Sequence, residues 1–357
     1  MVKPISLRVE DTDPFKHVRP VVHLVRAATA HLRAYVKKST PEYVVAELWG
    51  RDPVTVEVLR AATAPATTTT TGWAKELARV ATYDLVQSVT SVSAGAELID
   101  RGLQLSLDGI AELRIPGRVL NAAAAGQWVA EGAPAPARQL SFANAILQPR
   151  KLSVLMAFTH EQAESSNIEA IVRQTMGEAA GLALDAAMFS AVAGDASRPP
   201  GLFVGVAPIG AATGGGTNAM MTDLGKLFGA LANAGAGKNA VIVAATAEAM
   251  TLKATLGPKW DYDIIPSATF APGTVAVVET ASFVSGFSPT PTFRVADQAS
   301  YHAEDTSPQD ITGGTPSPAV PVKSMFQTNS VALKMDFHAA WGLRAAGHAQ
   351  YLTGATW

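Results

Sequence analysis

GQWVAEGAPAPARQLSFANAILQPRKLSVLMAFTHEQAESSNIEAIVRQTMGEAAGLALDAAMFSAVAGDASRPPG, residues 126 to 201, holds a proline-rich tip, an alternating extended run and a long amphipathic helix, in that order. The order predicts a projecting hairpin anchored on a helix. From Ile168 onward apolar residues recur at Ile168, Ile171, Val172, Ala179, Leu182, Ala186, Phe189 and Ala193, the spacing that keeps one helical face apolar. Ser166 or Asn167 is placed to cap the start, because a short polar side chain there accepts a hydrogen bond from an orphaned backbone N–H. Gly194 is the expected stop. A helix from about 168 to 193 would run roughly 40 Å at ~1.5 Å per residue, enough to cross a domain as a strut.

Upstream, Ala111 to Val119 and Leu140 to Phe158 read as extended segments flanking a tip from Trp128 to Arg138. Pro134 and Pro136 fix φ and remove donors, so the tip cannot add strands to a sheet and suits an exposed loop. A long hairpin is unstable alone and needs a surface to rest on. Trp73 to Leu107 shows helical periodicity at Leu77, Val80, Leu85 and Val89, interrupted at Gly95, and reads as an arm laid along the body. Ala64 to Gly72 (APATTTTTG) is uncharged and rich in β-branched residues, an extended linker and the clearest boundary in the chain. Before it, Ser39 to Ala62 predicts two short helices, with Pro41 and Pro53 each suited to a first helical turn.

Pro14 to Lys38 predicts an amphipathic helix, with Pro20 best placed in its first turn. Val21, Val22, Val25, Ala28, Leu32, Tyr35 and Val36 form one stripe, and Lys16, Arg19, His23, Arg26, Arg33 and Lys37 another, with no acidic residue between them. A basic amphipathic helix can lie on a membrane, bind a partner helix, face a polyanion or simply pack its apolar stripe on its own protein. Downstream of Gly201 helices and strands alternate. We expect a glycine turn at Gly214 to Gly216, a helix near Asp223 to Ala234 and a strand at Ala240 to Ala245. Thr246 should then cap a helix with Glu248 in its first turn. Strands near Tyr262 to Ile265, Thr274 to Glu279 and Thr292 to Ala296 follow, then a loop from Thr306 to Val322. Ser330 to Phe337 and Ala349 to Thr353 should return as strands to the long helix. The fold class is α+β.

Charged residues make up 16% of the 357-residue chain, against about 25% in ordinary soluble domains. So sparse a charge implies that neighbouring subunits cover much of the surface. A net charge of −2 gives no global attraction to nucleic acid. With no cysteine there are no disulfides or thiolate metal sites. No apolar secretory core opens the chain, and no run approaches the ~18 apolar residues of a spanning helix.

Catalytic patterns fail on inspection. His160-Glu161 begins a zinc-protease motif, but Glu164 stands where the second histidine belongs. Gly237-Lys238 hints at a phosphate loop, yet Asn239 replaces the hydroxyl residue and Ala232 the first glycine. Ser285-Gly286 lacks the preceding glycine of a nucleophile elbow, Phe283 taking that place. No cofactor or metal is expected.

Several segments together resemble the major capsid proteins of tailed bacteriophages: Trp128 to Pro134 (WVAEGAP), Phe142, the Lys151 strand into Thr159 to Glu164, Leu184-Asp185 and Pro200-Gly201. Ala240 to Leu256, Asp263 to Pro266 (DIIP) and Phe326 to Leu343 (FQTNSVALKMDFHAAWGL) continue the match in the same order. The resemblance implies a subunit that self-assembles as hexamers and pentamers into an icosahedral shell around double-stranded DNA. Encapsulin-type nanocompartments share the fold and are the first alternative; an enzyme using the Gly214 to Gly216 loop is a remote one. The implied division is an N-terminal helical arm with linker (1–72), an arm leading into the peripheral domain (73–110), an extended hairpin (111–158), a peripheral domain with the long helix (159–200), an axial domain (201–325) and a return to the peripheral domain (326–357). Trp128, Glu131, Pro134, Pro136 and Arg138 would lie over an adjacent subunit. Arg19, Arg26, Arg33 and Lys37 would face packaged DNA without sequence preference. Portal, cement or scaffolding proteins would be further partners, no membrane would be involved, and assembly would take place in the host bacterial cytoplasm to give the virion capsid.

Some members of that family cross-link through a Lys amine, an Asn amide and a carboxylate. Asn329 and Asp336 stand where the last two belong, but the tip EGAPAPAR (131–138) carries no lysine, and Arg138 cannot serve because its guanidinium stays protonated. Covalent joining is therefore not expected.

Overall fold

The computed structural model describes residues 20–50, 52–63, 93–107, 112–118, 142–165, 168–257, 260–287, 292–298, 300–302 and 322–357. Three helices come first: α1 (Pro20–Val36), α2 (Pro41–Trp49) and α3 (Pro53–Thr63). Each begins at the proline expected to open it. Thr40 caps α2 by accepting from the Tyr43 N–H, and Gly50 closes it at φ 64°, where a side chain would be strained. Asp52 caps α3, accepting from the N–H groups of Val54 (3.1 Å) and Thr55 (3.3 Å).

The first sheet is built on the long strand β13 (Ser330–Leu343). Along one edge runs β4 (Arg150–Thr159), antiparallel, with Ser330 opposite Thr159 and Ala339 opposite Arg150. The other edge takes β10 (Thr292–Ala296) and then β9 (Phe283–Phe287), and β1 (Leu103–Ser106) lies parallel to β9. Val154, Met156 and Phe158 of β4, with Val331, Leu333, Met335 and Phe337 of β13, point to one buried face. On that face pack α1, from the N-terminal trio, and the long helix α6 (Ile168–Met188). Two short helices precede and flank it: α4 (Ala94–Arg101), which packs on α6, and α5 (His160–Glu164), opened by a reciprocal Thr159–Gln162 capping box.

The second sheet has the order β5 (Ile209–Gly210), β14 (Ala349–Thr353), β8 (Val275–Glu279), β6 (Ala240–Ala245), β7 (Ile264–Ser267). Its central strands β6 and β8 are buried along their whole length. One face takes α7 (Gly216–Asn233) and α8 (Thr246–Leu256) through Leu224, Leu227, Leu231 and Leu252. The other joins the first layer through Phe189, Phe203, Phe270 and Tyr351, with Phe203 and Tyr351 stacked at 4.6 Å. The chain crosses between the sheets at residues 280–282 and again at 344–348. A two-stranded hairpin, β2 (Leu113–Arg118) with β3 (Phe142–Leu147), stands on the first sheet, its root packed on Leu107, Val284 and Ala340. A second small pair is β11 (Ser300–His302) with β12 (Val322–Ser324).

Several expectations change. The long helix ends at Met188, not near Ala193, because the chain folds back over its end: Leu202 N–H donates to Met188 O at 2.8 Å, and a Cβ on Gly201 would lie 1.9 Å from Ser190 O. Its buried face is Ile168, Val172, Met176, Ala180, Leu184 and Met188, while Ile171 and Leu182 are 39% and 42% exposed. Gly95 does not break a helix; it lies inside α4, where a Cβ would meet Asp185 Oδ1 at 2.8 Å. Thr246 is a helical residue rather than a cap, and Glu248 instead accepts from Gly273 N–H at 2.6 Å. The helix expected from Asp223 starts at Gly216, directly behind a glycine turn of positive φ. Strand β9 was not expected.

The expected segment boundaries are redrawn by strand pairing. β4 belongs to the first sheet and not to the hairpin; β9 and β10, placed in the 201–325 unit, also pair there. β14 does not return to the long helix but completes the second sheet. Residues 20–63 are not a detached arm, since Leu24, Val25, Leu32, Val44 and Val45 are fully buried in the core shared with α6 and the first sheet. The linker 64–72, the helix caps Ser166 and Asn167, and the loop 306–321 lie outside the described residues.

Candidate assembly surfaces

The basic stripe of α1 turns largely inward. Arg26 bonds Asp52 Oδ2 at 2.9 Å and lies over the Trp49 ring at 5.5 Å. Arg33, 8% exposed, donates to the carbonyls of Glu164 and Ser165 just ahead of α6. Lys37 is exposed and pairs with Glu47 at 3.1 Å. Such contacts tie α1 to α2, α3 and α6, and for Arg26 and Arg33 the geometry favours packing within the protein over a DNA-facing surface. Arg19 lies outside the described residues.

Asp52 gathers these helices. Its carboxylate, fully buried, takes hydrogen bonds from His23 Nδ1 (2.8 Å), Arg26 and the Thr55 hydroxyl (2.7 Å). Burial pushes its pKa up, but the Thr55 hydroxyl, His23, the Thr55 N–H and Arg26 outweigh it, leaving the group below the ordinary carboxylate value. A depressed folded pKa gives stability that is complete above the unfolded value and lost as pH falls through the folded one. Unfolding followed against pH should therefore show a stability loss below about pH 4 that Asp52→Asn lacks. An acid limb of equal size in both proteins would show that Asp52 does not contribute.

The predicted tip residues Trp128, Glu131, Pro134, Pro136 and Arg138 lie outside the described residues. What is described is the root of their hairpin. Beside it a depression of about 260 Å3 is lined by Ile146, Arg150, Asp195, Arg198, Pro199 and Trp341, among others. An adjoining cavity of about 70 Å3 shares Arg150, Arg198, Pro199 and Trp341 and adds Lys151 and Leu152. Sequence reasoning passed over this site. Its residues come from β3, β4, α6, the 194–200 turn and β13, so its only signal in sequence was the Arg150-Lys151 pair. Large apolar side chains also stand exposed elsewhere: Leu155 on the outer face of β4 at 53%, Met250 at 56% and Phe326 at 83%.

Asn329 sits in the turn before β13 at φ 46°, its carbonyl accepting from His160 N–H and its amide donating to Glu161 Oε1 at 3.1 Å. The carboxylate beside it is Glu161. Asp336 bonds Ser153 instead, and lies seven residues along a strand, ~20 Å away at ~3.3 Å per residue. The Gly214 to Gly216 loop has three consecutive positive φ values and no side-chain chemistry of its own. Among the described residues no group of histidine and carboxylate side chains is arranged to hold a metal, and no helix is long and apolar enough to cross a membrane.

A model described as the phage capsid family matches residues 86–269, just over half of the chain. Among solved structures, a chain from Mycobacterium phage Adephagia superposes with a TM-score of 0.52 at 14% identity, covering 74% of this chain and 91% of that one. A chain from Mycobacterium phage Bobi gives a TM-score of 0.52 at 14% identity, covering 85% of this chain and 98% of that one. At such identities the likeness is one of fold. No curated protein sequence matches the chain.

Proposed function

The chain belongs to the phage capsid family, a structural subunit of a capsid, and from that we propose that it is the repeating unit of a closed icosahedral shell around phage double-stranded DNA. Its copies associate as hexamers and pentamers, with a portal protein and cement or scaffolding proteins as partners, and the particle forms in the host bacterial cytoplasm. The family match through α6 and much of the second sheet carries the reading; the phage-derived folds and the low charge fraction support it. The match is to the phage capsid family, which does not favour the encapsulin alternative. Light scattering and electron microscopy of the purified protein at physiological salt test the proposal. Rings or shells are expected, and a monomer that persists across concentrations would sink it.

In this reading contacts between copies are noncovalent. A Lys amine would have to attack the Asn329 amide with a carboxylate to take its proton, and the tip 131–138 supplies none. Lys151, the lysine nearest to the tip along the chain on the β3 side, is on β4. Mature particles boiled in detergent should release one band at the monomer mass of 37.1 kDa. A ladder of multimers surviving denaturation would refute this.

A further inference from the structure

We propose that the depression at the hairpin root receives, from a second copy of this chain, the tip segment carrying Trp128 and Glu131; this rests on the shell-subunit reading above. The depression has the two features that recognise such a segment. Its wall is apolar, formed by Ile146, which is 48% exposed, with Pro199 and Trp341. Its rim is cationic, formed by Arg150, Lys151 and Arg198.

No carboxylate among the described residues forms an ion pair with any of these three cations. Arg150 donates to the Gln148 side-chain oxygen at 2.8 Å, and Arg198 to the Ser190 hydroxyl at 2.9 Å, while the Arg198 Nε is buried without a partner. The one carboxylate in the lining, Asp195, is held at a pKa of about 2 by the Ser197 hydroxyl and N–H and the Arg198 N–H, all bonded to its Oδ1. Its charge serves the 195–198 turn, which leaves a net positive rim.

An occupant must therefore bring an apolar group and a carboxylate close together. Residues 119–141 contain a single carboxylate, Glu131, three positions after Trp128. Three residues span about 10 Å when extended, a reach suited to an indole against Pro199 and Trp341 with the carboxylate at Arg150 or Lys151. Prolines at 134 and 136 keep the following chain extended. The tip of the same chain is poorly placed to fill the site. Ile146, a wall of the depression, belongs to the root of the hairpin, and half of the 23 intervening residues (119 to 141) extends ~35 Å at ~3.3 Å per residue.

The test has two arms. In assembly, Glu131→Lys should lower the fraction of protein in rings or shells at least tenfold, Lys151→Glu should do the same, and the two together should recover most of it. Lys151 is exposed and makes no hydrogen bond or ion pair among the described residues, so its reversal leaves the fold intact, as circular dichroism will verify. In binding, a synthetic peptide of residues 124–140 added to unassembled subunit should show Trp128 fluorescence changes that weaken at least tenfold with Lys151→Glu. Normal assembly by either single variant, or no recovery in the pair, overturns the proposal. So does equal binding by peptides 1–19 or 303–321, which carry the other acidic segments. If the parent protein itself forms no assemblies, the shell reading fails, and the peptide arm still decides the site.

Discussion

A chain truncated to begin at Gly72 will fail to fold. The seven side chains Leu24, Val25, Leu32, Val44, Val45, Val58 and Leu59 of the first three helices are at most 3% exposed. At about 1.5–3 kcal/mol per fully buried aliphatic side chain, their removal withdraws on the order of 10–20 kcal/mol, an upper figure because unfolded chains are partly collapsed. That matches or exceeds the whole net stability of a typical domain, about 5–15 kcal/mol. The truncation would also uncover Val331, Leu333 and Met335 of β13 and strip Trp49 from Glu169, whose carboxylate accepts the indole N–H at 3.2 Å. Expression of residues 72–357 should give insoluble protein or one without a cooperative urea transition. A soluble fragment unfolding within about 2 kcal/mol of the full chain would show that residues 20–63 are accessory. The same packing leads us to propose that the N-terminal helices stay in the mature particle. Mass spectrometry of its subunits checks this, and a mass starting near Gly72 would contradict it.

Asp185→Ala will be the most damaging single change on the long helix, costing about 3–5 kcal/mol. Asp185 has no solvent exposure and projects from α6 onto the N-terminus of α4. It accepts from the Ser93 hydroxyl at 2.5 Å, Gly95 N–H at 2.8 Å and Ala94 N–H at 2.9 Å. Burial pushes its pKa up, and the Ser93, Gly95 and Ala94 donors draw it partly back. Alanine would leave two buried N–H groups and a hydroxyl without acceptors, each costing about 1–3 kcal/mol. Asp185→Asn keeps one accepting oxygen but sets an amide donor against an N–H, so it should lose about 1–3 kcal/mol. Urea unfolding of the three proteins provides the comparison. A loss below about 1 kcal/mol for the alanine variant would mean that α4 finds its cap elsewhere.

Local chemistry made much of the fold legible. Prolines 20, 41 and 53 each open a helix because a missing N–H has no consequence in the first turn. The run Ala240 to Ala245 became a buried strand with the bounds expected, and the proline-bearing tip was correctly flanked by antiparallel strands. Periodicity placed the long helix but picked the wrong side. Ile171 and Leu182 fit a 3.6-residue stripe as well as Met176 and Asp185 do not, and only packing shows that the face bearing Asp185 is the buried one. A carboxylate reads as a surface residue until the N–H groups that satisfy it, some 90 positions away, are in view.

Sequence by itself determined the elements and, through motif order, the family: turn residues, capping groups and hydrophobic period act over a few positions and are written where they act. Tertiary structure alone decided which sheet each strand joins, that residues 20–63 are core, that Arg26 and Arg33 serve the fold, and that Arg150, Lys151, Arg198 and Trp341 share one depression. These facts depend on residues far apart along the chain, such as Arg33 with Ser165 or β14 with β8, and no short-range pattern encodes them. The reason is physical: an apolar stripe or a charge has the same local preference wherever it is buried, and its partner is selected only by the free energy of the whole packed arrangement.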